Sequence, residues 1–353
     1  MEFGKLLRTV AVAAVTAGVA VSLGTSAEAQ KRVKWKMQSA FGSKLSIVGE
    51  VAARFEGVMD DLSAGSFKVK FFEPGALVPA LEAWSAVKAG SIESSWTTAG
   101  YHTGKFPALA WFSAVPFGPE VGEYFAWLEY GGGDEIYNAL YKEQGVKGLH
   151  CAAIAPETSG WFREPVESLE QLKGLKMRFF GLGAKVMTKI GVSTQLLAGA
   201  DIYPALERGV IDATEFSMPS IDLDLGFYQI AKYNYFPGWH QQASLGELLM
   251  NGPKWDALNK QQKAWVNAGC SDSVKWSFVR SEALQFKAMQ ELQKKGVTFK
   301  RWSDDVLAVF RAKWQEVIAE ESAKDPLFKK TYESYKAFRA DYKIWLDNGY
   351  MRK

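Results

Sequence analysis

The sequence predicts an α/β fold built from two similar units, and three observations lead to this expectation. Segments with alternating apolar and polar residues are separated by segments with apolar residues at helical spacing, which is the order of β-α-β units. This order occurs once before and once after a stretch near residue 155. The chain has 353 residues. Roughly 320 of them follow the N-terminal leader described below, which suits two α/β domains or one large one.

The first unit is predicted to contain a parallel sheet with helical crossovers. Val33, Trp35 and Met37 alternate with polar residues, which predicts a strand over 33–39. The further elements predicted by the same rules are a helix at 47–62, a strand at 67–71, a helix at 79–89, a strand at 91–96, a glycine-interrupted helical stretch at 123–144 and a strand at 146–155. Strands and helices in this order form parallel sheets with right-handed crossovers.

The second unit is organised around residues 175–180. One or two helical turns end at Gly174, and the strand that follows places Arg178 and Lys176 on the face opposite to Met177. The elements predicted after it are a helix at 183–190, a strand at 210–216, one long helix or two joined helices at 255–295, a strand at 298–302, a helix at 306–321 and an amphipathic helix at 330–346. The last helix is rich in aromatic residues, so it needs a covering surface on its own domain or on a second subunit.

Residues 1–29 have the three parts of a secretory signal. Lys5 and Arg8 form a positive N-terminal region, a run of apolar residues follows, and a small-x-small cleavage triplet ends at Ala29. The mature chain is therefore expected to begin at Gln30 and to be soluble and outside the cytoplasm. An uncleaved membrane anchor is the alternative, but the apolar run is short for a membrane span.

Composition narrows the function classes. The net charge is +3 and no basic run occurs, so nucleic acid is not an expected partner. Aromatic residues make up 14% of the chain, and some of these rings can line a cleft. Cys151 and Cys270 lack CxxC spacing and therefore give no metal or redox motif. In an oxidising compartment they can pair, but the sequence does not place them within bonding distance, so thiols and a disulfide both stay open.

Three charged residues are candidates for a binding site. Arg178 ends an otherwise apolar strand, where a rigid guanidinium can give a carboxylate two parallel hydrogen bonds; the alternative is an exposed strand residue. Glu215 ends another apolar strand, and Glu157 precedes residues 159–162, a predicted loop between the units. Glu is rarely buried unless it is paired, so a buried Glu215 is expected to pair with Arg178 or with a bound cation. Two carboxylates and an arginine can assemble a site for a metal ion and an organic carboxylate, unless the two acids are unrelated.

Two enzyme classes are alternatives. Gly181 and Gly183 follow a strand, and Asp201 stands where a dinucleotide fingerprint has an acid, but Val186 replaces the third glycine. The second alternative is an exported hydrolase that acts on a small carboxylate. The sequence has no GxSxG motif and its three histidines lack metal spacing, yet triads are not recognisable from sequence order.

Four motifs carry a resemblance to a known family. They are Gly160-Trp161-Phe162-Arg163, Leu172-Lys173-Gly174-Leu175-Lys176-Met177-Arg178, Gly209-Val210-Ile211-Asp212-Ala213-Thr214-Glu215-Phe216 and Pro237-Gly238-Trp239-His240. With them the chain resembles the periplasmic substrate-binding proteins of TRAP transporters, in the branch that binds 2-oxo acids and related monocarboxylates. The second motif is the general TRAP signature, and the last two point to the branch. The resemblance covers essentially the whole mature chain.

The resemblance implies a two-lobe periplasmic binding protein fold with a hinge, a long connecting helix and a C-terminal helix. The implied domains are lobe I at 30–152 with part of 243–283, lobe II at 153–242 with 284–325, and a C-terminal helix at 326–353. Such a protein is not an enzyme, because it captures its ligand without changing it chemically. The ligand favours the closed form only through the extra contacts that it makes there. The closed form delivers its carboxylate to TRAP membrane permease subunits. The branch tends to dimerise through an exchanged C-terminal helix, which implies a homodimer.

The resemblance also assigns residues to the site. The residues implied to contact the ligand are Arg178, Glu157, Tyr101, Phe216, Trp239 and His240. Arg178 is implied to clamp the ligand carboxylate. An Arg178 that is buried against an internal acid, or that faces bulk solvent away from any gap between the lobes, would contradict this role.

A metal cation, sodium or calcium, is implied to bridge protein and ligand. Its implied protein ligands are the Glu215 side chain, the Phe216 carbonyl and residue 157. The branch has Gln at the third position, whereas this sequence has Glu157. A second carboxylate favours a divalent ion, or a ligand with a positive group, over sodium.

Overall fold

The structure is a computed structural model that describes residues 32–351. The signal predicted at 1–29 lies outside the described residues. From residue 32 onward the chain forms one compact unit, so the lobe boundaries stay predictions. Among the helices of residues 32–351, none combines the length and the apolar character that a membrane crossing requires.

The described chain alternates strands and helices along most of its length. The strands are β1 Val33–Ser39, β2 Phe67–Phe72, β3 Ser94–Thr97, β4 Val146–Ile154, β5 Gly160–Phe162, β6 Lys176–Arg178, β7 Ser193–Gln195, β8 Ala213–Thr214, β9 Tyr233–Phe236, β10 Ser244–Asn251 and β11 Thr298–Arg301. The α-helices are α1 Val48–Leu62, α2 Ala83–Lys88, α3 Val121–Tyr130, α4 Gly133–Glu143, α5 Gly181–Ile190, α6 Gly199–Glu207, α7 Pro219–Leu225, α8 Gly252–Asp256, α9 Lys260–Lys294, α10 Asp304–Lys324 and α11 Pro326–Gly349. Short 3₁₀ helices include Ala99–His102, Pro107–Phe112 and Leu169–Leu172.

The strands form two mixed sheets, which confirms the α/β class. Sheet A has the order β2-β1-β3-β10-β4, and sheet B has the order β11-β9-β5-β8-β6-β7. In sheet A, β10 runs antiparallel to both neighbours, and in sheet B, β5 does the same. The expectation of a purely parallel sheet in the first unit is therefore wrong. Both antiparallel strands are the first strand that the chain forms after it crosses from one sheet to the other.

Several predicted elements differ from the structure. The predicted loop at 159–162 contains strand β5, and β10 and β9 were not predicted at all. The strand predicted at 210–216 shrinks to the two residues of β8, because its partners β5 and β6 are themselves only three residues long. The helical region at 255–295 is two helices, α8 and α9.

The chain crosses between the sheets three times: through two neighbouring segments, 155–159 and 237–243, and through helices α8 and α9 between β10 and β11. The Glu157 N–H donates to the Gln241 carbonyl at 3.1 Å, so the two segments are joined. Gly238 is required at this contact, because a Cβ there would lie 2.2 Å from the Glu157 carbonyl oxygen. Residues far apart in sequence therefore meet backbone to backbone where the sheets adjoin.

Helix α9 covers strand β4, which is an edge of sheet A. Small residues recur at every fourth position from Gly269 to Ser281, and this stripe lets the helix approach closely. The Ser277 hydroxyl accepts the Ala153 N–H at 3.1 Å, and the Ser281 hydroxyl accepts the Ala155 N–H at 3.0 Å. The helix thus satisfies backbone donors that an uncovered edge would leave open.

A disulfide joins the same two elements. Cys151 of β4 is bonded to Cys270 of α9, and 119 positions separate them in sequence. The structure therefore decides between the two states that the sequence left open.

The C-terminal helices pack on both halves of the molecule. Helix α10 contacts α5, whereas α11 contacts the 3₁₀ helix Pro107–Phe112 and α3. Trp111 is fully buried there against Trp314 of α10 and Phe328 and Tyr335 of α11. The aromatic face of the predicted last helix is thus largely covered by the chain itself.

Candidate functional site

A cavity lies where the two crossing segments meet the sheets. Its polar lining residues are Thr98, Ser113, Glu157, Arg178, Ser217, Gln241 and Ser244. Its apolar wall consists of Phe41, Val48, Trp96, Tyr101, Ala152, Ile154, Phe180, Phe216, Leu245 and Gly246. Among these residues only Glu157 and Arg178 can carry a charge at neutral pH, so the cavity has one charged end and an extended apolar wall.

Arg178 ends strand β6 and is 1% exposed. Its Nη1 donates to the Glu215 side chain and to the Glu215 carbonyl, both at 2.8 Å, and its Nε donates to the Leu197 carbonyl at 3.2 Å. The rings of Phe180 and Phe216 lie within 5.8 and 5.2 Å of the guanidinium carbon. These contacts hold the guanidinium in one orientation at the cavity wall.

The pairing with Glu215 meets one of the two conditions stated above against a ligand-clamping arginine. Arg178 is buried against an internal acid, and this acid occupies part of the guanidinium that was expected to give a ligand carboxylate two parallel hydrogen bonds. The described bonds use Nε and Nη1, however, and Arg178 also belongs to the cavity lining. These bonds do not use Nη2. The Tyr101 hydroxyl also interacts with the guanidinium, so Tyr101 and a ligand carboxylate would share its remaining N–H groups.

Glu215 is fully buried directly behind the cavity wall. Its Oε1 accepts hydrogen bonds from Arg178 Nη1 and from the Phe180 N–H. Burial alone would raise the pKa of Glu215, but the Arg178 charge and then His240 and the Phe180 N–H outweigh burial, so the pKa is lowered. Glu215 is therefore ionised at neutral pH, and its Oε2 lies 3.5 Å from His240 Nε2.

Glu157 lies on the first crossing segment and is 3% exposed. Its Oε1 accepts from the hydroxyls of Ser217 at 3.3 Å and Ser244 at 3.2 Å, while Oε2 has no hydrogen-bond partner. Burial, followed by the charges of Glu215 and Asp222, raises the pKa of Glu157 well above its ordinary value. Without a cation, this carboxyl therefore favours its protonated form.

Glu157, Glu215 and His240 form a cluster in which one donor atom from each lies within 4.8 Å of the others. Oε2 of both acids and both imidazole nitrogens of His240 are buried without hydrogen-bond partners. Buried polar atoms of this kind carry a large desolvation cost unless something satisfies them. Two carboxylates and an imidazole converging in this way fit a metal cation.

The structure brings most of the predicted site residues together. Tyr101 lies on the 3₁₀ helix Ala99–His102, lines the cavity and packs against Phe180. Burial raises the pKa of Tyr101 to about 12, although the Arg178 charge acts in the opposite direction. Tyr101 therefore faces the cavity as a neutral phenol.

Trp239 and His240 take positions other than the predicted one. His240 belongs to the cluster with Glu157 and Glu215. Trp239 does not line the cavity and is packed behind it, between Phe117 and Phe310. Trp239 thus supports the site from the core. The Phe216 side chain lines the cavity, in addition to the predicted role of its carbonyl as a cation ligand.

Sequence reasoning missed much of the lining. Thr98 and Ser113 face each other with their hydroxyl oxygens 2.6 Å apart, and Thr98 also donates to the Leu245 carbonyl. Single hydroxyl residues at strand ends are common, so no sequence signal marks them. Gln241 and Ser244 follow the Pro237–His240 motif directly, and extending that motif would have found them.

Two α/β halves that share one cavity at their crossing segments define a two-lobe ligand-binding protein. The family model of bacterial extracellular solute-binding proteins, family 7 (DctP), matches residues 39–325, and the chain belongs to this family. The family and its solved members are solute-binding receptors of TRAP transporters and not enzymes, so the hydrolase alternative is set aside.

The chain is similar to several known members. It is 32% identical to a monocarboxylate 2-oxoacid-binding periplasmic protein of Nostoc sp., over 98% of this chain and 96% of that one. A TRAP solute-binding protein from Bordetella bronchiseptica, a mixed-occupancy dimer with copurified calcium and picolinate, has a TM-score of 0.87 and 30% identity and covers 90% of this chain and 94% of its own. A member from Pseudoalteromonas atlantica with sodium and pyruvate has a TM-score of 0.84 and 28% identity, covering 89% and 96%.

Proposed function

We propose that this protein captures a small organic monocarboxylate with a 2-oxo or 2-hydroxy group in the periplasm and delivers it to TRAP permease subunits. The observation that carries the proposal is the arrangement of Arg178 and Glu157 in the cavity lining with the buried Glu215 beside them. The Nostoc relative and the Pseudoalteromonas atlantica neighbour with pyruvate support this ligand class, and the Bordetella bronchiseptica neighbour with picolinate supports a monocarboxylate. Export through the signal that ends near Ala29 is part of the proposal.

The ligand carboxylate is placed against Arg178 Nη2. Arg178 is 1% exposed, and at a buried site a charge-assisted hydrogen bond is stronger than at a surface. In this arrangement Glu215 orients the Arg178 guanidinium and does not occupy the position of the ligand carboxylate. Tyr101, Phe180 and Phe216 surround the same point and shield it from solvent.

Charge balance favours a divalent cation. Arg178 and Glu215 cancel each other, so an ionised Glu157 and the ligand carboxylate would leave two uncompensated negative charges. One divalent ion neutralises them, and the oxygen atoms of Glu157 and Glu215 are the ligands that calcium prefers. We propose calcium as the bridging ion, held by Glu215, Glu157 and the Phe216 carbonyl, with His240 beside Glu215.

Glu157→Gln is expected to change the ion that supports ligand binding. The amide removes one negative charge, so a monovalent ion then suffices for neutrality. For the wild type, calorimetry with pyruvate should show an affinity about 10- to 100-fold higher in calcium than in chelator with sodium. For Glu157→Gln, this difference should nearly vanish.

Glu164→Gln, which removes an exposed carboxylate nearby in sequence, is the matched control and should keep the calcium dependence. Wild-type affinity that is unchanged by chelator would remove the metal from the account. Zinc that supports binding better than calcium would instead assign His240 as a direct ligand.

We also propose that the protein is a homodimer that uses the end of α11. Ile344 and Trp345 are 75% and 57% exposed, although the first half of the same helix is packed on its own chain. The Bordetella bronchiseptica neighbour is a dimer. An exposed apolar helix end of this kind is suited to a second copy.

The double substitution Ile344→Glu/Trp345→Glu should convert the dimer to a monomer in sedimentation equilibrium, because it buries two charges in the proposed interface. Asn348→Glu adds a charge to the same exposed helix end and is the control for charge alone. A wild-type protein that sediments as a monomer at high concentration would refute the dimer.

A further inference from the structure

Phe117 has an unusual backbone conformation at a junction of four segments. It lies in the loop between the 3₁₀ helix Pro107–Phe112 and α3, with φ at +50°. A bulky residue other than glycine is strained in this region and persists only when its surroundings fix it. Two hydrogen bonds fix it here: its N–H donates to the Trp239 carbonyl at 2.7 Å, and its carbonyl accepts from Arg339 Nη1 at 3.2 Å.

The Phe117 side chain also contacts Trp239. Its ring lies 5.6 Å from the Trp239 ring, and the Arg311 guanidinium of α10 is stacked on it at 4.1 Å. Trp239 is 1% exposed and is held on its other side by Phe310 at 4.8 Å. Phe117 therefore supports the second crossing segment through both its backbone and its ring.

Trp239 directly precedes His240, which belongs to the metal-like cluster. One residue further on, the Gln241 carbonyl accepts a hydrogen bond from the Glu157 N–H and so fixes the position of Glu157, which also belongs to the cluster. A shift of Trp239 would move two of the three residues of the cluster. The geometry of the cluster thus depends on a contact that is itself made outside the cavity.

Arg339 fastens Phe117 to the C-terminal helix. Its Nε donates to Glu123 of α3 at 2.6 Å, and its Nη1 reaches both the Phe117 carbonyl and the Tyr335 hydroxyl. The guanidinium is thereby fixed on three sides. The same helix, α11, carries the exposed apolar end described above.

We infer that Phe117 is a positioning residue for the cation-binding cluster, and that Arg339 of α11 holds Phe117 in place. The inference rests on the proposed cation site. It makes cation affinity depend on the packing of the C-terminal helix, although no residue of α11 belongs to the cluster or lines the cavity.

Calcium titration of the ligand-free full-length mature protein by calorimetry tests this inference. Arg339→Gln should lower calcium affinity about 5- to 20-fold, within the range of energetic coupling between sites. Phe117→Gly removes the ring and relaxes the backbone and should have a similar effect, whereas Phe117→Tyr keeps ring and backbone and should restore affinity to near the wild-type value. Lys336→Gln, on the same helix and without a bond to Phe117, is the matched control.

The outcomes separate the inference from the proposed function. If the wild type binds calcium and both Arg339→Gln and Phe117→Gly bind it with unchanged affinity, the positioning role is overturned while the cation site stands. If the wild type binds no calcium, the calcium proposal and the positioning role are both overturned. If Arg339→Gln fails to fold, Phe117→Gly and Phe117→Tyr decide, because neither changes α11.

Discussion

Replacing Arg178 by Gln is expected to reduce carboxylate affinity by about 100- to 1,000-fold, the size of loss that follows removal of one partner of a buried charge pair. The ligand loses its charge-assisted hydrogen bond inside a cavity in which Arg178 is the only cationic lining residue. Calorimetry with pyruvate in saturating calcium measures the change. Near-normal affinity would show that the carboxylate binds elsewhere.

The same substitution is expected to destabilise the fold by about 3 to 5 kcal/mol, because it leaves the buried Glu215 without its partner. This cost is separable from binding. In the double variant Arg178→Gln/Glu215→Gln, both members become neutral amides that can bond to each other, so most of the stability should return while binding stays lost. Arg208→Gln removes an exposed arginine and is the control for charge alone.

If the double variant recovered ligand affinity together with stability, Arg178 would be a structural residue only. Urea denaturation separates the loss of stability from the loss of binding. Glu215→Gln alone, which removes a proposed calcium ligand but keeps Arg178, is the calorimetric control for the double variant. The distinction between a clamp and a structural ion pair matters because the structure shows Arg178 in both settings, paired with Glu215 and lining the cavity.

Removal of the disulfide is the second change with a large expected effect. Cys151→Ser/Cys270→Ser opens a loop of 119 positions, and the loss of this constraint on the unfolded chain is expected to cost about 4 to 5 kcal/mol. Serine fits at position 270, because the neighbouring positions of α9 that face β4 are already serines. Urea denaturation should show a lower midpoint.

Reduced wild-type protein is the control for this variant, and it should match the double variant in stability. Ligand affinity should change little, since neither cysteine lines the cavity. A double variant as stable as the oxidised wild type would show that the bond does not constrain the chain in solution.

The local part of the fold was predictable from sequence. Alternation of Val33, Trp35 and Met37 predicted β1 correctly, and the helical spacing in 47–62 predicted α1 to within one residue, because both patterns follow from one buried face. Short central strands such as β8 carry no such pattern. Two residues are too few for alternation, and their pairing is decided by neighbours from distant parts of the chain.

The site was predictable only in part, for the same reason. The candidates Glu157, Arg178 and Glu215 were named from strand ends and a family resemblance, but the ion pair between two of them joins residues 37 positions apart. The family resemblance also implied that Trp239 contacts the ligand, whereas in the structure Trp239 supports His240 from the core. Whether a residue stands at a cavity surface or one layer behind depends on packing, which periodicity does not record.

The most direct test is a crystal structure of the mature protein with pyruvate and calcium. The account predicts a carboxylate oxygen about 3 Å from Arg178 Nη2 while Nη1 keeps its bond to Glu215. It also predicts a calcium ion about 2.4 Å from oxygens of Glu157 and Glu215. Pyruvate bound away from Arg178, with the guanidinium paired to Glu215 alone, would contradict it.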